Sequence, residues 1–145
     1  MTSREMMLES EAATVALARE LAARAVAGDV FLLSGPLGAG KSTLARAFIR
    51  ARAGDETLEV PSPSFTLVQS YELDPPVTHF DLWRLAGPGD VEELGFDAAL
   101  AGIVLVEWPE RLGGDVPEGA VRIGLEWGSG EQRVVRIEGP ARLVP

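Results

Sequence analysis

The polar and apolar positions of this chain follow two periods, and the switches between them mark its elements. Between Ser10 and Val26, apolar residues recur at helical spacing (Leu17, Leu21, Ala25), with Ser10 placed as the cap and Glu11 inside the first turn. Gly28-Asp29 ends that helix, and Val30 to Ser34 reads as a short apolar strand. A glycine-rich loop, Gly35 to Gly40, leads into a second helix from Lys41 to Ala53 that Gly54 terminates. Val60 to Phe65 contains Pro-Ser-Pro-Ser, which predicts an extended loop, because proline fixes its own φ and keeps the preceding residue out of the helical region. Thr66 to Tyr71 and Val77 to Asp81 are predicted strands, separated by an Asp74-Pro75-Pro76 turn.

Asp90 and Glu93 have capping-box spacing, which predicts a short helical stretch through Leu94, continued over Phe96 to Leu100. Ile103 to Val106 is apolar without interruption, as in a parallel strand covered on both faces, and Glu107 ends the run. Val121, Ile123, Leu125 and Trp127 then alternate with Arg122, Gly124 and Glu126, a half-buried strand. A Gly128-Ser129-Gly130 turn joins it to Arg133 to Glu138, predicting an antiparallel hairpin. Before Ser10 the chain mixes charges with short apolar stretches, and no element is predicted there. Helix–strand alternation followed by a hairpin specifies an α/β domain with a mixed sheet.

At 145 residues the chain is expected to form one domain, residues 1–145, with an ordinary hydrophobic core. The absence of cysteine excludes disulfide scaffolds, thiol catalysis and iron–sulfur clusters, and the single histidine, His79, excludes a multi-histidine metal site. A net charge of −9 argues against autonomous binding to a nucleic-acid backbone. No apolar run approaches the ~18 residues of a membrane span, so a cytoplasmic protein with no membrane partner is expected. Twelve of the thirteen basic residues are Arg, and the lone lysine is Lys41.

That lysine completes Gly35-Pro36-Leu37-Gly38-Ala39-Gly40-Lys41-Ser42, which fits G-x-x-x-x-G-K-[ST] at every fixed position. Glycines let successive backbone N–H groups turn inward as an anion nest, and the following helix presents its positive end to the same phosphates. Lys41 supplies a mobile point charge for the β- and γ-phosphates, and Ser42 a hydroxyl for Mg²⁺. A strand before the loop and a helix after it meet the context condition. The chain is therefore expected to have a P-loop NTPase-like three-layer α/β fold, mostly parallel, closed by the C-terminal hairpin. With no second lysine, a guanine-reading Asn/Thr-Lys-x-Asp motif cannot exist, so ATP is the favoured nucleotide.

A P-loop enzyme also needs a carboxylate at a neighbouring strand end to hold Mg²⁺ or its water shell. Asp81 closes one predicted strand and Glu107 another, and strand carboxyl ends gather on the ligand side of an open α/β sheet. His79 reads as a residue that packs or hydrogen-bonds within its strand, Trp83 and Trp108 as an aromatic wall or, more ordinarily, core or rim packing, and Glu92-Glu93 as a solvated face. Arg84 and Arg133 have the reach for phosphate or adenine, although a lone arginine is most often a surface charge.

Four motifs in this order carry a family resemblance: Gly-Pro-Leu-Gly-Ala-Gly-Lys-Ser-Thr from Gly35, Ser62-Pro63-Ser64-Phe65-Thr66-Leu67-Val68, His79-Phe80-Asp81-Leu82-Trp83-Arg84-Leu85, and Val106-Glu107-Trp108-Pro109. Together they resemble the TsaE family of small bacterial P-loop ATPases, required for the threonylcarbamoyladenosine modification of tRNA, over about Glu11 to Ile137. The resemblance implies that Gly38, Ala39, Gly40, Lys41, Ser42 and Thr43 wrap the nucleotide phosphates, with Ser42 and Glu107 around Mg²⁺. It implies that Asp81 acts on the γ-phosphate side, as a base or as organiser of the attacking water, with Lys41 as its catalytic partner. Ser62, Ser64 and Thr66 would form a switch loop sensing the γ-phosphate, and Glu11 and Arg133 would lie near the nucleotide.

It further implies weak ATP hydrolysis that depends on two partners, TsaB and TsaD, with tRNA met only through that assembly. Pro36 stands where the family commonly has Asp, Ser64 where Thr is usual, and Trp83 where Tyr is usual. The competing readings are a stand-alone small-molecule kinase on the same loop and a nucleotide-gated interaction module.

Overall fold

The computed structural model describes residues 1–85 and 88–145. Its strands are β1 (Thr2–Leu8), β2 (Val30–Ser34), β3 (Val68–Tyr71), β4 (Val77–Asp81), β5 (Ile103–Glu107), β6 (Val121–Trp127) and β7 (Arg133–Gly139). Its helices are α1 (Glu11–Arg24), α2 (Lys41–Ala53) and the single turn α3 (Phe96–Ala99). Among the described residues the strands form one seven-stranded sheet in the order β1-β7-β6-β2-β5-β4-β3. The centre is parallel: β2 pairs with β5 and β6, and β5 with β4. The outer pairs, β3 on β4, β7 on β6 and β1 on β7, are antiparallel.

The central strands are apolar on both faces because each face has its own cover. Phe31, Leu33, Ile103 and Leu105 pack with Leu17 and Leu21 of α1 and Leu44 and Phe48 of α2. Their neighbours Val30, Leu32, Val104 and Val106 pack on the other side with Phe80, Val91, Phe96 and Leu112. This alternation makes three layers. An aromatic pair anchors each interface: Phe31 with Phe48 at 5.1 Å between ring centroids, and Phe80 with Phe96 at 5.3 Å. Removing such a side chain from water contributes about 1.5–3 kcal/mol. Among the described residues no helix is long and apolar enough to cross a membrane.

The helix ends follow the sequence closely. Ser10 is extended and its hydroxyl accepts from the Ala13 N–H at 3.3 Å. α2 ends on Gly54 in the left-handed region, φ 67°, where its N–H reaches the Ala51 carbonyl. At the end of α1, Ala25 rather than Val26 closes the helix. The buried Asp29 carboxylate accepts from the Val26 N–H at 2.8 Å and pairs with Arg142, which turns the chain sharply into β2.

Three departures from the sequence reading have local causes. β1, where no element is predicted, exists by backbone pairing to β7 along its whole length, with most of its side chains exposed. The strand expected from Thr66 begins at Val68, because the chain makes a turn through Ser64 to Thr66 and Leu67 is left-handed at φ 69°. The helical stretch expected from Asp90 is a 3₁₀ segment, Pro88–Leu94. The hairpin of β6 and β7 is as expected, with Ile123 opposite Ile137 and Leu125 opposite Val135.

Ser10→Ala removes the α1 cap and is expected to cost about 1 kcal/mol in urea unfolding. The corresponding fall in melting temperature is about 3–4 °C for a domain of this size.

Candidate functional site

The parallel register sets the site. Asp81 at the end of β4 lies level with Glu107 at the end of β5, and Glu107 lies level with Leu33 at the end of β2. The chain leaving β2 turns at Gly35, where a side chain is impossible: φ is 138°, and a Cβ would sit 2.2 Å from the Leu125 carbonyl oxygen of β6. The loop therefore passes with its backbone tight against β6 at this residue. Within it the Ala39 N–H donates to the Pro36 carbonyl at 3.1 Å, and Gly38 and Gly40 both have positive φ. Gly40 caps α2 without a side chain, and so leaves the helix's first N–H groups uncovered by any cap. The buried Thr14 of α1 packs close beneath it.

Lys41 is folded back into this loop. Its ammonium donates to the Gly35 carbonyl at 2.6 Å and stands 3.7 Å from the centroid of the Trp108 ring. Only 5% of the residue is exposed. Burial pushes its pKa below the ordinary lysine value, and the negative charges of Glu107, Glu110 and Asp81 pull it partly back. Ser42, next on the helix, donates its hydroxyl to Glu107 Oε1 at 3.3 Å. The other Glu107 oxygen, Oε2, pairs with His79 Nε2 at 2.7 Å.

Asp81 is held from its own strand end: the Trp83 N–H donates to Oδ1 at 3.1 Å. Its Oδ2 accepts from Ser64 at 3.4 Å, and Ser64 and Ser62 share a hydrogen bond at 2.6 Å. The Asp81 N–H donates to the Leu67 carbonyl at 2.9 Å, which ties the turn after the Pro-Ser-Pro-Ser loop to the end of β4.

A cleft of about 200 Å³ is lined by Leu37, Gly38, Gly40, Lys41, Ser42, Thr43, Ser64, Asp81, Glu107 and Trp108. On the other side of the loop, a hollow of about 180 Å³ is lined by Glu11, Gly38, Ala39, Gly40, Thr43 and Arg133. Every residue that the family resemblance implies for nucleotide or metal thus borders one of two hollows that share the glycine loop. A larger open groove of about 630 Å³ between α1 and α2 meets them only at Glu11 and Thr43. Of the switch-loop residues, Ser62 and Ser64 connect to Asp81. Thr66 is exposed on the turn and lies outside the cleft lining.

Sequence reasoning underrated three aromatic or imidazole groups. His79 does not bond within its own strand but reaches across to Glu107 on β5. Trp108 is not mere rim packing, since its ring faces the Lys41 ammonium. The residue has φ 60°, a bend directly after Glu107 that no spacing rule announces. Trp127, read only as the last position of an alternating strand, lies about 3.9 Å from the point a Gly38 Cβ would occupy. Conversely, the Arg84 guanidinium stacks 4.6 Å from the Phe65 ring centroid, on the exposed rim.

Sheet order and site define a P-loop NTPase-like α/β domain. The family model described as "Threonylcarbamoyl adenosine biosynthesis protein TsaE" matches residues 8–135, and the chain belongs to the TsaE family. A Rickettsia conorii protein named tRNA threonylcarbamoyladenosine biosynthesis protein TsaE is 36% identical over 132 residues, covering 90% of this chain and 75% of the relative. An Aquifex aeolicus protein of the same name is 40% identical over 109 residues, covering 74% of this chain and 78% of its own. The crystal structure of Bacillus subtilis YdiB superposes with a TM-score of 0.77 at 26% identity, covering 95% of this chain and 86% of that one.

The loop geometry separates two glycine substitutions. Gly35→Ala combines backbone strain with a backbone clash and is expected to cost about 2–6 kcal/mol. Gly40→Ala meets only a methyl group at 3.9 Å, and its cost is the strain of positive φ alone, about 1–2 kcal/mol. Urea titrations of the two variants beside the parent measure the difference.

Proposed function

We propose that the protein binds ATP and Mg²⁺ at the glycine loop and hydrolyses ATP slowly, as a subunit of the machinery that forms threonylcarbamoyladenosine on tRNA. The observation that carries this reading is the convergence of Lys41, Ser42, Asp81 and Glu107 on one cleft beside the open N-terminus of α2. The inward glycine loop and that helix end would take the triphosphate, and Lys41 would turn from the Gly35 carbonyl to the phosphates. That exchange replaces a bond to a neutral carbonyl with one between opposite charges.

The donor set suits magnesium. Ser42 and Glu107 offer hard oxygens within hydrogen-bond distance of each other. Among the described residues no three His, Cys, Asp or Glu side chains converge as a metal cage. A cation here would rely on this pair, phosphate oxygens and water, which is the habit of Mg²⁺. When bound, it would supply charge neutralisation for the phosphates. Asp81 faces the same cleft with Oδ1 fixed by the Trp83 N–H, leaving Oδ2 to orient a water or accept its proton. Ser64, on the loop tied to Asp81, would exchange that carboxylate for the γ-phosphate, so that the Ser62–Thr66 segment responds to the nucleotide state.

In this reading TsaB and TsaD are the partners, and the tRNA is reached through them. The acidic surface fits a subunit that does not itself grip RNA. Membership of the TsaE family disfavours a stand-alone metabolite kinase.

Lys41→Ala and Asp81→Asn are each expected to lower ATP turnover by about 10²-fold or more, as measured by phosphate release. Asp81→Asn should keep nucleotide affinity, whereas Lys41→Ala should weaken it. A pull-down with TsaB and TsaD is expected to retain the protein in an ATP-dependent manner. Association indifferent to nucleotide, or phosphoryl transfer from ATP to any of a panel of nucleosides, would sink the proposal.

A further inference from the structure

β4 brings a second polar group to the α2 side of the sheet, one step deeper than Asp81. On this strand Val77 joins the core cluster formed with α1 and α2, while Phe80 joins the opposite cluster. His79 therefore points with Val77 and Asp81 toward α2 and the phosphate loop. It is 2% exposed, as is Glu107, and the two meet at 2.7 Å across the parallel pair. Glu107 then has its oxygens divided, one to His79 and one to Ser42.

The imidazole's other nitrogen, Nδ1, is buried with no hydrogen-bond partner among the described residues. A carboxylate can only accept. That places a proton on Nε2, donated to Glu107 Oε2. A donor held there fixes the carboxylate's rotation.

We propose that His79 is a positioning residue for Glu107: it occupies Oε2, so that Oε1 is the oxygen presented to Ser42 and to a magnesium ion held there. This rests on the magnesium reading of the Ser42–Glu107 pair. It adds that the affinity of the pair for the cation is set from beneath by a side chain that touches neither cation nor nucleotide. Hydrogen bonds that orient metal-binding side chains are commonly worth about 10–100-fold in metal affinity.

The test is calorimetric titration of the protein with ADP in Mg²⁺ and again in EDTA, which reads the magnesium-dependent gain in affinity without relying on turnover. His79→Leu, which fills the space without a donor, is expected to reduce that gain about tenfold and leave ADP binding in EDTA unchanged. His79→Gln, whose amide N–H reaches near the Nε2 position, is expected to recover the gain to within about threefold of the parent.

Three results would overturn the role. One is a full magnesium gain in His79→Leu, and another is equal loss in Mg²⁺ and in EDTA. The third is equal loss in His79→Leu and His79→Gln. If His79→Leu does not fold, His79→Asn replaces it, because its shorter amide cannot span to Glu107. Glu107→Ala separates this proposal from the one beneath it. If Glu107→Ala keeps the magnesium gain, the metal site itself is misread. If it loses the gain while His79→Leu keeps it, only the role of His79 falls.

Discussion

Everything at the site depends on the register of three parallel strands. With β4, β5 and β2 locked in step, Asp81, Glu107 and the turn at Gly35 arrive together at one edge of the sheet. A slip of one residue in β4 would turn Asp81 and His79 into the opposite layer and bring Phe80 to the loop. The register is protected by the two-sided core, because each strand carries apolar side chains to both layers and a slip would misplace them all. The stability of the core and the geometry of the chemistry therefore have the same origin.

The second organising fact is that the ionisable groups of the site are buried and each is hydrogen-bonded. Lys41, Asp81, Glu107 and His79 are nearly inaccessible; Lys41 bonds to the glycine loop, Asp81 to Ser64 and the Trp83 N–H, and Glu107 to His79 and Ser42. Ions so placed survive burial only when paired and hydrogen-bonded. α2 joins the two systems, since Leu44 and Phe48 bind its face to the core while Lys41 and Ser42 head the same helix. Nucleotide-dependent motion would have to begin in the side chains and the Ser62–Thr66 segment, because the helix is anchored along its length.

Local sequence carried most of this. The phosphate loop, α1, α2 and the apolar strands β2 and β5 are legible because their information lies in spacing over a few residues. Asp81 and Glu107 are legible as strand-end acids. What spacing could not supply is anything decided by pairing. The bond from His79 to Glu107 exists because β4 lies beside β5, and the Trp108 ring reaches Lys41 because of one left-handed residue after a strand. The start of β3 was displaced by another, Leu67. β1 was invisible for a related reason: its side chains have little buried periodicity, and its conformation comes from the backbone groups of β7.

That strand has a consequence for the molecule in company. The hairpin of β6 and β7 would otherwise end the sheet in a row of unpaired amides and carbonyls, a template for the same hairpin of another copy. The chain uses its own β1 to occupy that row. The new rim carries Arg4 and Glu5, the latter paired with Arg136 at 2.8 Å across the strand, and Arg4 donates to the Pro145 carbonyl. Charged side chains on a rim strand discourage further stacking of strands. A segment with almost no part in the core thus serves colloidal behaviour, keeping the sheet finite while its opposite half holds the chemistry.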